Sequence, residues 1–489
     1  MENLIIVNNP KDWTLQIPGV KLVSARSYLI EQSFSQMRQA RVFNLCKSYR
    51  YQSIGYYVSL LASARGHKPL PNITTIQDLK SQTFIRFVDD DLDELIQKSL
   101  NPIQSDSFIL SIYFGRNVAK RYDRLALHLY NLFPAPLLRA EFVRSRSGWH
   151  LQDIDPISAG DVPPEHKTFL LDVATEHFAG KRVGTPKKKA VRYDMAILWG
   201  DKEPEAPSDE RAIKRFITAA SNLGLDAEVI TRDDYGRIAE FDALFIRETT
   251  NVNHHTYRFA RRAAAEGLVV VDDPESILKC SNKVYLAELL ERHGVATPRS
   301  CLVHKDNLES VLSEVGVPCV LKQPDSAFSQ GVLKIDSEEK LFQECSRMLK
   351  QSDLLVAQAY VPTDFDWRVG IFDRKPLFVC KYFMVKNHWQ IIKRDSVGRK
   401  TEGTFETIPV ELAPAAVVRT ALKAANLIGD GLYGVDIKQI DKTCYVIEIN
   451  DNPSIDSGIE DQVLKTNLYE RIMEVFLKRI LNSKNGMSF

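Results

Sequence analysis

The hydrophobic positions change period along the chain. Leu4-Ile5-Ile6-Val7 is a short apolar run that predicts a strand, and Gln52–Ala64 carries apolar residues at Ile54, Tyr57, Val58, Leu61 and Ala62, the spacing of one helix face. Gly66 supplies the stop. Phe84–Val88 and Phe108–Phe114 predict further strands. From about 190 to 275 strands and helices alternate. Met195–Trp199, Ala227–Thr231, Ala243–Ile246 and Leu268–Val271 are expected strands, with helices over Asp209–Leu223 and Tyr257–Glu266. That order predicts a parallel sheet of βαβ units, whose ligands gather at the carboxyl ends of the strands. Arg247 stands just past one such end and is a candidate for an anionic substrate. Ser281 is the expected cap of a helix running to His293, closed by Gly294. Helices are also expected over Ala413–Leu427 and Asp461–Leu481, with two strands between them in Gly434–Asn452.

Those two strands hold the most specific pattern. Taking Asp441-Lys442-Thr443 as a three-residue loop pairs Ile440 with Cys444, and sets Asp436 opposite Glu448 and Gly434 opposite Asn450. Glu448 and Asn450 are two apart and share a face. Tyr445, Ile447 and Ile449 then point into a core. Two carboxylates facing each other across strands repel, and a cation between them removes the repulsion. The donors are hard oxygens with no His or Cys, which suits Mg²⁺ completed by water and substrate phosphates. Without a cation the same spacing describes a solvated surface hairpin.

Composition narrows the classes. The 489 residues suffice for about two to four domains. A formal net charge of +1 supplies no global field toward nucleic acid or membrane, and no apolar run has the length to cross a bilayer. The first ten residues lack the regions of a signal peptide. Seven scattered cysteines without a CxxC pair argue for a reduced, cytoplasmic protein. His254-His255 reads as a helix start or surface feature. Gly180–Arg192, with Lys187-Lys188-Lys189, reads as a solvated linker, and nucleic acid is not an expected partner. Lys283 in a first helical turn opposes the helix dipole, and Lys322 lies in an apolar strand where its ammonium needs an anion or water.

Gly434-Val435-Asp436-Ile437 followed by Glu448-Ile449-Asn450-Asp451-Asn452-Pro453 resembles the metal-binding end of ATP-grasp ligases. The resemblance gives Asp436, Glu448 and Asn450 the role of holding Mg²⁺, with Mn²⁺ as an alternative, against ATP. It puts Lys283 and Lys322 on the ATP phosphates. The stretch Asp325–Val332 takes the place of the family's glycine-rich loop with only Gly331 left, and Ser329 is a phosphate candidate in it. Leu354–Val361 resembles the adenine hinge, with Gln358, Tyr360 and Val361, and Asp364 as the ribose candidate. Asp366-Trp367-Arg368 resembles the Asp-x-Arg strand of RimK-like ligases, so Arg368 is a catalytic candidate; the other reading is an ordinary cross-strand ion pair. Arg394 is the candidate among the basic residues of 381–403.

Asn44–His67 is similar to the N-terminal domain found ahead of some RimK-like proteins. The resemblance implies an α/β protein in which an N-terminal α/β domain (1–185) and a preATP-grasp parallel α/β domain (190–275) precede an ATP-grasp fold (276–481). The implied reaction is ATP-dependent joining of a carboxylate to an amine, with an amino acid and a peptide or protein acceptor as partners. Two other readings stay open: a kinase on the same scaffold, and a non-catalytic nucleotide-dependent binding protein. The N-terminal region is expected to position the acceptor or to support a homo-oligomer.

Overall fold

The computed structural model describes residues 2–37, 39–80, 90–145, 148–179, 193–200, 203, 205–325, 331–386, 388–394 and 400–484. The strand expected over Phe84–Val88, the linker Gly180–Arg192 and the candidate Ser329 lie outside them. The chain divides into two compact units, 1–194 with 231–242, and 195–230 with 243–489.

In the first unit β1 (Glu2–Val7), β2 (Val20–Ser24), β3 (Ala40–Asn44) and β4 (Lys68–Leu70) form a parallel sheet in the order β2-β1-β3-β4. Alternation fills both faces. Leu4, Ile6 and Val42 enter one core with Val58 and Ala62 of the helix Ile54–Ala64, and Ile5, Val7 and Phe43 enter another. Strands β5 (Ser107–Tyr113), β6 (Leu137–Ser145) and β7 (Gly148–Pro156) make an antiparallel meander. The segment Thr231–Asp242 belongs to this unit. Its Glu240, 3% exposed, faces Arg41, His177 and Arg237, and Lys68 donates to the Phe241 carbonyl at 2.7 Å.

The second unit opens with β8 (Tyr193–Leu198), β9 (Leu225–Ile230), β10 (Ala243–Ile246) and β11 (Val269–Val271), in the order β11-β10-β8-β9. The pairs β10–β8 and β10–β11 are parallel, as the alternating pattern requires. A second sheet holds β12 (Ser300–Val303), β13 (Cys319–Lys322), β14 (Val332–Ile335) and β15 (Leu355–Ala359), in the order β12-β15-β13-β14. A third contains β16 (Phe365–Phe372) and β17 (Lys375–Phe383). The pair β18 (Ile392–Arg394) and β19 (Lys400–Glu402) stands apart, and β20 (Phe405–Ile408), β21 (Tyr433–Ile440) and β22 (Thr443–Asn450) complete the third sheet in the order β20-β17-β16-β21-β22. Residues 360–364 thus join the second sheet to the third. Among the described residues no helix is long and apolar enough to cross a membrane, and all seven cysteines are free.

Several local expectations shift. Ser281 ends the helix Pro274–Ser281, and the cap of the next helix, Lys283–Arg292, is Asn282, whose side chain accepts from Val284 and Tyr285. Asn is as good a cap as Ser, and the break falls one residue later. The C-terminal helix begins at Thr466, because Asp456–Lys465 is folded into turns tied to β8–β10 loops. His255 opens the helix His255–Ala265, with His254 as its cap position, as read from the sequence.

Candidate functional site

The hairpin β21–β22 reaches the expected pairing by another route. Its loop has two residues, Asp441 and Lys442, with Ile440 opposite Thr443. Asp441 takes a left-handed φ of 51°, which Asp tolerates. Alone, that shorter loop would have displaced the acids by one residue and turned them apart. A bulge absorbs the difference. Ile437 faces Val446, and the next pair is Asp436 with Glu448, so Ile447 is the extra residue. Gly434 then faces Asn450. The core side changes accordingly. Cys444, Val446 and Ile449 are buried, while Tyr445 and Ile447 are not in the core as expected from a regular register.

Asp436, Glu448 and Asn450 therefore share the face turned from the core. Arg368 of β16 lies directly opposite Asp436 and grips it with two bonds, Nε at 2.7 Å and Nη2 at 2.8 Å. Asn450 Nδ2 reaches the same carboxylate at 3.3 Å. Lys283, first residue of its helix, stands 3.1 Å from Glu448. Lys322, only 8% exposed, donates to Gln358 Oε1 at 2.7 Å. Lys283, Lys322, Gln358 and Glu448 line one cavity, walled on its apolar side by Leu286, Val356 and Ile447.

The charges act on one another through this cavity. Burial brings the Lys322 ammonium down to about 8, against the pull of Glu448. Burial alone would raise Glu448, yet Lys283, Lys322 and Arg368 hold it below the ordinary carboxylate value. Burial works against the Arg368 cation, and Asp436 more than reverses it. Asp366, raised by burial, is bonded by Lys438 at 2.5 Å rather than by Arg368. Arg368 and Asp436 thus form a cross-strand ion pair, but one built into a cluster that opens on a cavity.

The donor set suits a hard divalent ion: two carboxylates facing each other and an amide, one edge open to substrate oxygens. Among the described residues there is no group of three or more His, Cys, Asp and Glu that could hold a metal; the third donor here is an amide. The remaining candidates are scattered. Tyr360 and Val361 lie in the connecting segment, half-buried, and Lys334 sits 4.4 Å over the Tyr360 ring. Asp364 is exposed, its carbonyl accepting from Met384. Arg394 ends β18, its side chain outside the described residues.

Arg247 does not face a substrate. It is wholly buried, and its guanidinium donates to Ser208 Oγ, Asn452 Oδ1 and the carbonyls of Pro207 and Pro453. The free-ligand reading fails because every arm of the fork is engaged inside the protein. Sequence reasoning missed Lys438, although it lies two residues from Asp436 on the same strand face. It also missed Tyr382, whose ring lies 5.0 Å from the Arg368 guanidinium and whose hydroxyl donates to buried Glu460. Burial and its Asp456 neighbour push Glu460 to about 7, the Asp456 amide opposing them. A separation of 78 residues gave no signal for that contact.

Residues 25–173 match the model of the RimK-like ATP-grasp N-terminal domain, and residues 280–454 match that of the ATP-grasp domain. The chain is 26% identical over 262 residues to the alpha-aminoadipate–LysW ligase LysX of Sulfolobus acidocaldarius, covering 49% of this chain and 88% of that protein. It is 26% identical over 222 residues to a probable alpha-L-glutamate ligase of Thioalkalivibrio sulfidiphilus, covering 45% and 71%. The solved D-alanine–D-alanine ligase of Bacillus anthracis aligns with 61% of this chain and all of its own at 15% identity, with a TM-score of 0.48. The chain carries a RimK-like ATP-grasp N-terminal domain over residues 25–173 and an ATP-grasp domain over residues 280–454.

Proposed function

We propose that this protein is an ATP- and Mg²⁺-dependent carboxylate–amine ligase that forms an amide through an acyl phosphate, joining glutamate or another amino acid to a protein or small-molecule partner. The observation that carries the reading is the shared face of Asp436, Glu448 and Asn450, set among Lys283, Lys322 and Arg368. The names of the two relatives, an alpha-aminoadipate–LysW ligase and a probable alpha-L-glutamate ligase, support it.

In this reading a carboxylate oxygen attacks the γ-phosphorus of ATP, the bond to the β-phosphate oxygen breaks, and ADP leaves. The amine nitrogen then attacks the acyl carbon, phosphate leaves, and the amine gives up a proton. Phosphoryl transfer asks the protein mainly to position groups and to balance charge. Lys322 and Lys283 bring cations to the cavity wall where the phosphates lie. Arg368 offers the planar fork that suits anionic oxygens. Asp436, Glu448 and Asn450 would hold Mg²⁺ or Mn²⁺, which supplies charge neutralisation to the phosphates. Gln358, Tyr360, Val361 and Asp364 are assigned to the nucleoside, Ser329 and Arg394 to phosphate or substrate. The domain division 1–185, 190–275 and 276–481 and a cytoplasmic location belong to the same proposal, with 1–185 recognising the partner or supporting assembly.

Hydroxylamine is the test. With ATP, Mg²⁺ and a panel of peptides and amino acids as carboxylates, a ligase yields a hydroxamate. ADP release with no hydroxamate from any carboxylate would favour phosphoryl transfer to an alcohol and overturn the reading.

A further inference from the structure

Arg368 is held from two sides, and the second hold has no part in the site described so far. On β21, Asp436 takes the Arg368 Nε and Nη2 in two bonds at 2.7 and 2.8 Å. On β17, the Tyr382 ring lies 5.0 Å from the guanidinium carbon. The register of the third sheet brings both to one face. Arg368 is opposite Asp436 across one ladder and opposite Cys380 across the other, and Tyr382 stands two residues along from Cys380. A diagonal neighbour of that kind is within reach of an aromatic side chain.

The ring is itself fixed. Its hydroxyl donates to Glu460 Oε1, and Glu460 Oε2 accepts from the Asp456 amide at 2.7 Å. Glu460 is 1% exposed. The turn that carries it is tied to the same sheet a second time, where Thr407 Oγ1 donates to the Ile459 carbonyl at 2.7 Å. Tyr382 therefore cannot swing away without leaving a buried carboxylate short of a donor, which is costly.

The two holds differ in what they leave free. Asp436 grips the guanidinium by charge, with the same oxygens that are assigned to Mg²⁺. A ring face holds a cation without using a carboxylate. The Arg368 Nη1 carries no bond among the described residues, and the side chain is 18% exposed. A fork backed by a fixed ring and open on one edge is preorganised for anionic oxygens.

We propose that Tyr382, anchored by Glu460, is a positioning residue that keeps the Arg368 guanidinium in place for the charge that develops on the transferred phosphoryl group. The inference rests on the proposed ligase reading and names the residue that orients its arginine.

Two measurements on the full chain test it. The first needs no turnover. The Arg368 Nε–H proton resonance is identified as the one missing from Arg368→Lys. Tyr382→Met removes the ring current and should shift that resonance, while Tyr382→Phe keeps the ring and should leave it near its wild-type position. The second is hydroxamate formation. Tyr382→Met should lower kcat by about tenfold, the scale of a desolvated cation–ring contact, with KM for ATP changed by less than about twofold. Tyr382→Phe should recover most of that loss. Combined with Arg368→Lys, the two losses should multiply to less than their product, as for residues in contact. A ring that only packs would not separate Phe from Met in kcat. Tyr382→Leu takes the place of Tyr382→Met if the latter does not fold. An unmoved resonance, or losses that multiply in full, overturns the assignment. If the wild type gives no hydroxamate, the ligase reading falls, and with it the role of Tyr382 in transfer, whether or not the resonance moves.

Discussion

Two charged clusters, one in each unit, contain similar residues and differ in what they can do. In the first unit Glu240 is surrounded by Arg41, His177 and Arg237, its side chain 4% exposed. Burial raises its carboxyl, and His177, Arg237 and Arg41 beside it bring it down to about 2. In the second unit Glu448 is also held down by cations, Lys283 first, yet its side chain is 32% exposed and lines a cavity. A perturbed carboxylate is common to both. Access separates them: one cluster is closed around its own segment, while the other presents opposed acids and cations to a space where a substrate can enter. Perturbed titration alone therefore marks neither cluster as functional.

The largest effect that would break this comparison is on turnover. Asp436→Asn and Glu448→Gln should each lower amide or hydroxamate formation by about a thousandfold or more, as loss of a charge-stabilising group does, with circular dichroism unchanged. Glu240→Gln should leave activity per folded molecule intact. If the hairpin variants keep full activity, the metal assignment is wrong.

Next comes stability. Removing one partner of a buried ion cluster costs about 3–5 kcal/mol, so urea unfolding should register Glu240→Gln strongly. The pH sign follows from the direction of the shift. The folded value, about 2, is below the unfolded one, so Glu240 stabilises above pH 4.5 and that contribution fades as pH falls through 2. An acid unfolding curve identical in Glu240→Gln and wild type would show the cluster to be energetically idle.

Lys322 sharpens the second-unit side. Lys322→Met should weaken MgADP by about tenfold, the scale of one charge-assisted contact. In the free protein its ammonium titrates near 8, below the unfolded value of 10.5. Nucleotide affinity should therefore decline as pH rises through 8, and Lys322→Arg should move that decline upward. The same depression makes the charged lysine an opponent of folding at neutral pH, an opposition relieved between 8 and 10.5. An affinity flat from pH 7 to 10 would remove Lys322 from the phosphate site.

The smallest expected change is Arg368→Lys, which keeps the charge and loses the fork. It should lower kcat by about tenfold with little change in KM for ATP. An effect confined to KM would make Arg368 a ground-state binding residue.

What the sequence determined by itself was periodic and local. The alternating strands of 195–271, the helix Ile54–Ala64 and the common face of Glu448 and Asn450 follow from side-chain spacing, but the buried face of that helix runs through Gly55, Val58, Ser59 and Ala62 and leaves the expected Ile54 and Tyr57 exposed. The tertiary structure decided which groups meet. The two-residue loop and the Ile447 bulge together restored the pairing of Asp436 with Glu448 that a three-residue loop also gives, so the acids were legible while the route and the core side of the strand were not. Sheet order placed Arg368 against Asp436 and left Asp366 to Lys438. Loops distant in sequence closed Arg247 inside the protein. Such choices depend on strands brought together from tens to hundreds of residues away, where burial and charge pairing select among partners that local spacing leaves equivalent.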